Sequence, residues 1–136
     1  MLSQPEKLVV TDIFQCDILD LQALEQVFLD YQPTIIIHLA AKTDLLGETI
    51  KDYRANVDGV LNLVEAIKKT PSVERCIFTS SQLVCRPGYV PQHDLDFQPI
   101  NLYGQSKVLT EKIVREHNGA NVVWCLTRPQ PFGARV

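Results

Sequence analysis

Thr34-Ile35-Ile36-Ile37-His38-Leu39-Ala40-Ala41 is the stretch that decides the fold. Seven of its residues are apolar or small without a period-two alternation, which is the pattern of a parallel strand buried on both faces. It is far too short to span a bilayer, and His38 interrupts it. The small residues Ala40 and Ala41 at its end leave room for something to approach the backbone. A strand of this kind needs parallel partners, and parallel partners need helical crossovers, so the flanking segments should alternate.

They do. Upstream, residues 7–17 (KLVVTDIFQCD) are β-branched and apolar and read as a strand. Asp20 follows as an N-cap. Leu21, Leu24, Val27, Phe28 and Tyr31 then recur at helical spacing until Gln32-Pro33 ends the helix. Downstream, residues 44–69 read as one long helix carrying Ile50, Tyr53, Val57, Val60, Leu61, Val64 and Ile67, stopped by Thr70-Pro71. Residues 75–81 (RCIFTSS) are a strand ending in hydroxyls, and 82–101 lack periodicity and read as a loop. A helix from Leu102 to about Asn118-Gly119 and a last strand, 121–127 (NVVWCLT), complete the series. The expectation is a single α/β domain over 1–136: a Rossmann-like parallel sheet of about four strands flanked by helices on both faces. Residues 7–17 are expected to pair directly with 34–41.

Composition narrows the function. The net charge of −3 and pI near 5.5, without a Lys/Arg run, argue against nucleic acid or an anionic membrane as partner. Cys16, Cys76, Cys85 and Cys125 form no C-x-x-C and read as reduced core thiols of a cytoplasmic protein. Residues 1–7 are polar and give no signal peptide. His38, His93 and His117 have no metal-ligand spacing.

Chemistry is expected outside the carboxyl ends of the strands. The helix that begins at Leu102 places Tyr103 and Lys107 four residues apart on one face, so an ammonium can stand beside a phenol and favour its phenolate. With four Tyr and seven Lys in the chain, the spacing alone is weak. An ordinary helix start with a surface lysine fits it equally.

Company strengthens it. Cys16-Asp17-Ile18-Leu19-Asp20, His38-Leu39-Ala40-Ala41, Asn56-Val57-Asp58-Gly59, Phe78-Thr79-Ser80-Ser81, Tyr103-Gly104-Gln105-Ser106-Lys107 with Glu111, and Arg128-Pro129 with Phe132-Gly133 occur in one order. In these pieces the chain resembles the extended short-chain dehydrogenase/reductases, specifically the NAD-dependent nucleotide-sugar epimerase/dehydratase group. The resemblance implies a catalytic set of Ser81, Tyr103 and Lys107. Tyr103 would take a proton from a sugar hydroxyl while the adjacent carbon gives a hydride to the nicotinamide of NAD or NADP. It implies cofactor contacts from Asp17, Ile18, Leu39, Ala40, Ala41, Asn56, Tyr103, Lys107, Arg128 and Pro129. Each has a plain alternative, Asp17 as a helix cap and the alanines as packing among them. The resemblance also implies a homodimer through the two long helices.

Two departures matter. The family's opening Gly-rich turn, which holds a pyrophosphate, has no counterpart, since the six glycines are at 47, 59, 88, 104, 119 and 133. The dehydratase subgroup's Asp-Glu pair after the hydroxyl is Gln82-Leu83 here. The chain thus reads as the middle of such an enzyme, either its catalytic segment, inactive alone, or a non-catalytic remnant serving binding or oligomerisation.

Overall fold

The computed structural model describes residues 8–11 and 15–118, and the backbone of 123–127. Helix α1 (Leu21–Tyr31) leads to strand β1 (Ile35–His38), helix α2 (Arg54–Lys68), strand β2 (Arg75–Thr79), helix α3 (Leu102–Glu116) and strand β3 (Val123–Thr127). The strands form one parallel sheet in the order β1-β2-β3, with Ile36 opposite Cys76, His38 opposite Phe78, and Phe78 opposite Leu126. The α/β alternation is therefore as expected, with three strands among the described residues in place of about four.

Capping residues set the helix limits. The Asp20 carboxylate accepts from the Ala23 N–H at 3.1 Å to start α1, and Gln32 ends it in the left-handed region at φ 46°. Asn101 caps α3 by accepting from the Gly104 N–H at 2.7 Å. The long helix expected from residue 44 is shorter. Asp52 accepts from the Glu48 and Thr49 N–H groups, which fixes a 3-10 turn over Ile50–Tyr53, and α2 starts only at Arg54. Upstream of that turn, the Tyr53 hydroxyl donates to the Asp44 carbonyl at 2.9 Å and accepts from the Gly47 N–H at 3.2 Å, so 44–49 is a tied loop. The 82–101 segment contains a second 3-10 turn, Gln82–Val84, and a bridge between Cys85 and Gln98.

The strand expected over 7–17 is not formed where it can be seen. Residues 8–11 and 15–17 carry no strand, Leu8 and Val10 stand in solvent, and β1 pairs with β2 alone among the described residues. Local bonding explains the second half of the segment: Asp17 accepts from the Leu19 N–H at 2.9 Å, and its carbonyl accepts from Asp20 N–H, which turns the chain into α1.

Helices on both faces are not seen among the described residues either. Moving from β1 to β2 to β3 in one direction through right-handed crossovers puts α2 and α3 on the same face. Leu24 and Phe28 of α1, Val60, Leu63 and Ile67 of α2 and Val114 of α3 close one core over Cys76 and Phe78. On the opposite face Ile35 and Ile37 are 56% and 58% exposed, and Leu39 beyond them 69%. Each forgoes roughly 1–2 kcal/mol of burial.

Cys16 and Cys76 are buried free thiols, as expected, and burial pushes the Cys16 thiol up. Cys85 is half-buried.

Candidate active site

The carboxyl end of β2 and the first two turns of α3 are locked together at two points that bracket Ser81. On one side Lys107, a residue only 4% exposed, donates from its ammonium to the Thr79 carbonyl at 2.8 Å. On the other, Gly104 lies so close to the second 3-10 turn that a Cβ there would sit 2.2 Å from the Leu83 carbonyl oxygen. Any side chain at 104 would push α3 off the turn, so the glycine is required for close approach. Ser81 itself caps that turn, its Oγ accepting from the Leu83 N–H at 3.1 Å.

Tyr103 is buried beside Gly104, with its ring tilted against Tyr53 at 6.3 Å between centroids. Its hydroxyl makes no hydrogen bond among the described residues. The Lys42 ammonium lies 5.3 Å from the centre of the Tyr53 ring, so a second cation flanks the aromatic pair. Burial pushes the Lys107 ammonium down from its usual range, and the Glu111 carboxylate one turn on opposes that. His38 closes the floor from β1, edge-on to Phe78 at 5.3 Å. Burial and then the Lys107 charge push its imidazole down to about 4.

Other sequence-identified residues divide. Asn56 is buried and fully engaged: its Oδ1 accepts from the Lys42 N–H at 2.7 Å, and its Nδ2 donates to the Lys42 carbonyl at 3.0 Å and to Ser106 Oγ at 2.9 Å. It offers the site a fixed backbone at Lys42, one residue past Ala41. Leu39 and Ala40 are exposed and Ala41 half-buried at the end of β1. Ile18 is packed away on α2, where it fills the space above Gly59 and its carbonyl accepts from Asn62. Asp17 is spent on the turn at Leu19. Arg128 and Pro129 lie outside the described residues.

Ser80, Ser106, Tyr53 and Lys42 went unnoticed as supports in the sequence. For Ser80 a signal existed, since Glu111 follows Lys107 by one turn and a buried glutamate needs a donor. Asn56 and Ser106 lie 50 residues apart, and no local pattern couples them.

Residues 2–135 match the NAD dependent epimerase/dehydratase family. This chain belongs to that family. UDP-glucose 4-epimerase of Bacillus subtilis is 31% identical over 133 residues, covering 89% of this chain and 38% of the relative. An N-acetyl-alpha-D-glucosaminyl-diphospho-ditrans,octacis-undecaprenol 4-epimerase of Escherichia coli O157:H7 is 34% identical, covering 88% of this chain and 37% of the relative. Among solved structures, UDP-glucose 4-epimerase from Brucella ovis in complex with NAD superposes with a TM-score of 0.68 at 31% identity, over 82% of this chain and 36% of that one. A dTDP-4-dehydrorhamnose reductase from Bacillus anthracis in complex with NADP gives 0.72 at 28%, over 87% and 42%. The chain spans little more than a third of the length of the curated relatives it matches.

The residues present fit a dinucleotide at one end only. At the carboxyl end of β2, Lys107 retains donors beyond the one given to Thr79, and the Tyr103 hydroxyl is uncommitted. A pyrophosphate needs a glycine cradle open to solvent at a helix start. The space beside Gly47 is taken by the Tyr53 ring, beside Gly59 by Ile18 and beside Gly104 by Leu83. Gly88, with open space around it, sits at φ +77° in the loop after the second 3-10 turn and opens no helix. The described residues thus hold no open glycine cradle for a pyrophosphate.

No helix among the described residues is long and apolar enough to cross a membrane. No group of three or more His, Cys, Asp or Glu that could hold a metal occurs among them.

Proposed function

We propose that the chain carries the proton-transfer part of a nucleotide-sugar 4-epimerase site, with Tyr103, Lys107 and Ser81 acting on a substrate hydroxyl. The observation that supports this is the double lock of α3 on the end of β2, the Lys107 ammonium on the Thr79 carbonyl and Gly104 against Leu83, at the strand end that carries Ser81. Ser81 would hydrogen-bond the sugar hydroxyl and Tyr103 would receive its proton. Lys107 would hold the phenolate's counter-charge and a ribose hydroxyl. When bound, the dinucleotide supplies the oxidation and re-reduction of the sugar carbon. Gln82-Leu83 after Ser81 supplies no acid/base pair for elimination, which favours epimerisation over dehydration.

The chain alone would bind NAD weakly and not turn over, because Gly47, Gly59 and Gly104 are filled by its own packing and β1 pairs with β2 alone among the described residues. Calorimetric titration of NAD into the chain tests the first half. For the second, residues 2–135 would replace the matching segment of the Bacillus subtilis UDP-glucose 4-epimerase. The hybrid should epimerise UDP-glucose and lose at least a hundredfold in kcat with Tyr103→Phe. A folded, NAD-binding hybrid that is inert, or one indifferent to Tyr103→Phe, would show the assignment wrong.

Association of two copies through α2 and α3 belongs to the same reading. Leu61 and Leu109 are about two-fifths exposed, and Ile50, Pro99, Gln105, Val108 and Leu109 line a shallow apolar groove between the first 3-10 turn and α3. A monomer mass by sedimentation at micromolar concentration would reject it.

A further inference from the structure

Along α3, Tyr103, Lys107, Glu111 and Arg115 follow one another at four-residue intervals, so phenol, ammonium, carboxylate and guanidinium succeed each other turn by turn. Glu111 is the unusual member. It is 0% exposed, and a buried carboxylate is retained only where it is paired and hydrogen-bonded. Its Oε1 accepts from Ser80 Oγ at 2.6 Å, and its Oε2 lies 3.6 Å from the half-exposed Arg115 guanidinium.

Ser80 stands between Thr79, whose carbonyl takes the Lys107 ammonium, and Ser81. One carboxylate thus grips the strand end from below, while the lysine one turn earlier on the same helix grips it one residue before. We propose that Glu111 is a positioning residue for the proton-transfer set: it fixes the Ser80-Ser81 strand end to α3 and keeps the Lys107 side chain charged and in place. This rests on the reading of Tyr103, Lys107 and Ser81 as that set.

The charged and titratable groups around Lys107 among the described residues are these. From β1, His38 adds repulsion when protonated. From β2 come the Thr79 carbonyl and the Ser80 hydroxyl, which carry no charge. From α3 come Tyr103, Glu111 and, beyond it, Arg115. Glu111 is therefore the negative charge that offsets the burial of Lys107. The Ser80 bond alone would be served by a neutral acceptor, so the two duties can be separated.

Glu111→Gln keeps an acceptor of the same shape for Ser80 and removes the charge. The lysine side-chain Cε–Hε resonances of the isolated chain, followed against pH by NMR, give the readout, with Lys107 assigned by its absence in Lys107→Arg. In Glu111→Gln the Lys107 titration should move down by about one pH unit, with the other lysines unchanged. An unmoved Lys107 in a folded Glu111→Gln variant would reduce Glu111 to a structural strut and overturn the proposal. Should that variant fail to fold, the carboxyl 13C shift of Glu111 in the unaltered chain decides: an ionised carboxylate at pH 7 is required, and a protonated one overturns it. Neither measurement uses a sugar or a dinucleotide, so their failure is distinct from failure of the epimerase reading.

Discussion

Gly104→Ala is the sharpest test of how the site is assembled. In a helix interior the change should stabilise by about 1 kcal/mol, because alanine loses less backbone entropy. Here the new Cβ would stand 2.2 Å from the Leu83 oxygen and 3.1 Å from both the Leu83 carbonyl carbon and Pro99 Cβ. Two of those atoms are backbone, so relief requires α3 to move away from the second 3-10 turn rather than a side chain to swing. Overpacking of this kind costs ~3 kcal/mol, at the upper end of the usual range, and the net loss should be ~2 kcal/mol. Urea unfolding followed by far-UV circular dichroism would register it as a fall in midpoint at constant slope. Loosening the lock should also speed hydrogen exchange at the Leu83 N–H, which rests on Ser81 Oγ. A variant as stable as the parent, or more stable by the alanine increment, would mean that α3 does not press on Leu83. The proposed convergence of Tyr103 on Ser81 would lose its support with it.

Two further outcomes follow from buried polar groups. His38 titrates at about 4 in the folded chain against an ordinary value of 6.5, so the unfolded chain binds its proton first. Its contribution is therefore neutral above pH 6.5 and becomes a loss of up to ~3 kcal/mol as pH falls from 6.5 to 4. The difference between parent and His38→Gln in denaturation midpoint against pH should carry that slope, and parallel curves would refute it. Asn56→Ala removes three hydrogen bonds and leaves the buried Ser106 Oγ only the bond it donates to the Tyr103 carbonyl. It should cost ~2–3 kcal/mol by urea unfolding, whereas a loss under 1 kcal/mol would show that Lys42 and Ser106 find other partners.

Periodicity and caps carried most of the fold. Asp20, Gln32-Pro33 and the apolar run at 34–41 are local signals, and the elements they delimit lie where those signals put them. Local signals failed where a longer-range bond competed. Residues 44–53 have helical spacing, yet Tyr53 and Asp52 turn back on residues 44–49 and hold them out of the helix. The apolar residues 8–10 have strand composition, but a strand exists only with a partner, and β1 pairs with β2 alone among the described residues. At the site, the Tyr103–Lys107 spacing and the hydroxyl cluster 79–81 were visible because chemistry constrains residue type. Gly104 against Leu83 and Glu111 beneath Ser80 were visible only as letters, since neither packing contact leaves a periodic trace.

The side of β1 left exposed among the described residues has a consequence for handling the protein. Ile35, Ile37 and Leu39 lie within a stretch, 34–41, that contains no proline, no glycine and no acidic or lysine residue to repel a neighbour. Such a segment meets the requirements for stacking in register with copies of itself, at ~4.8 Å per layer, into a cross-β fibril. The chain's lifetime in concentrated solution is then set by how soon that stripe is covered.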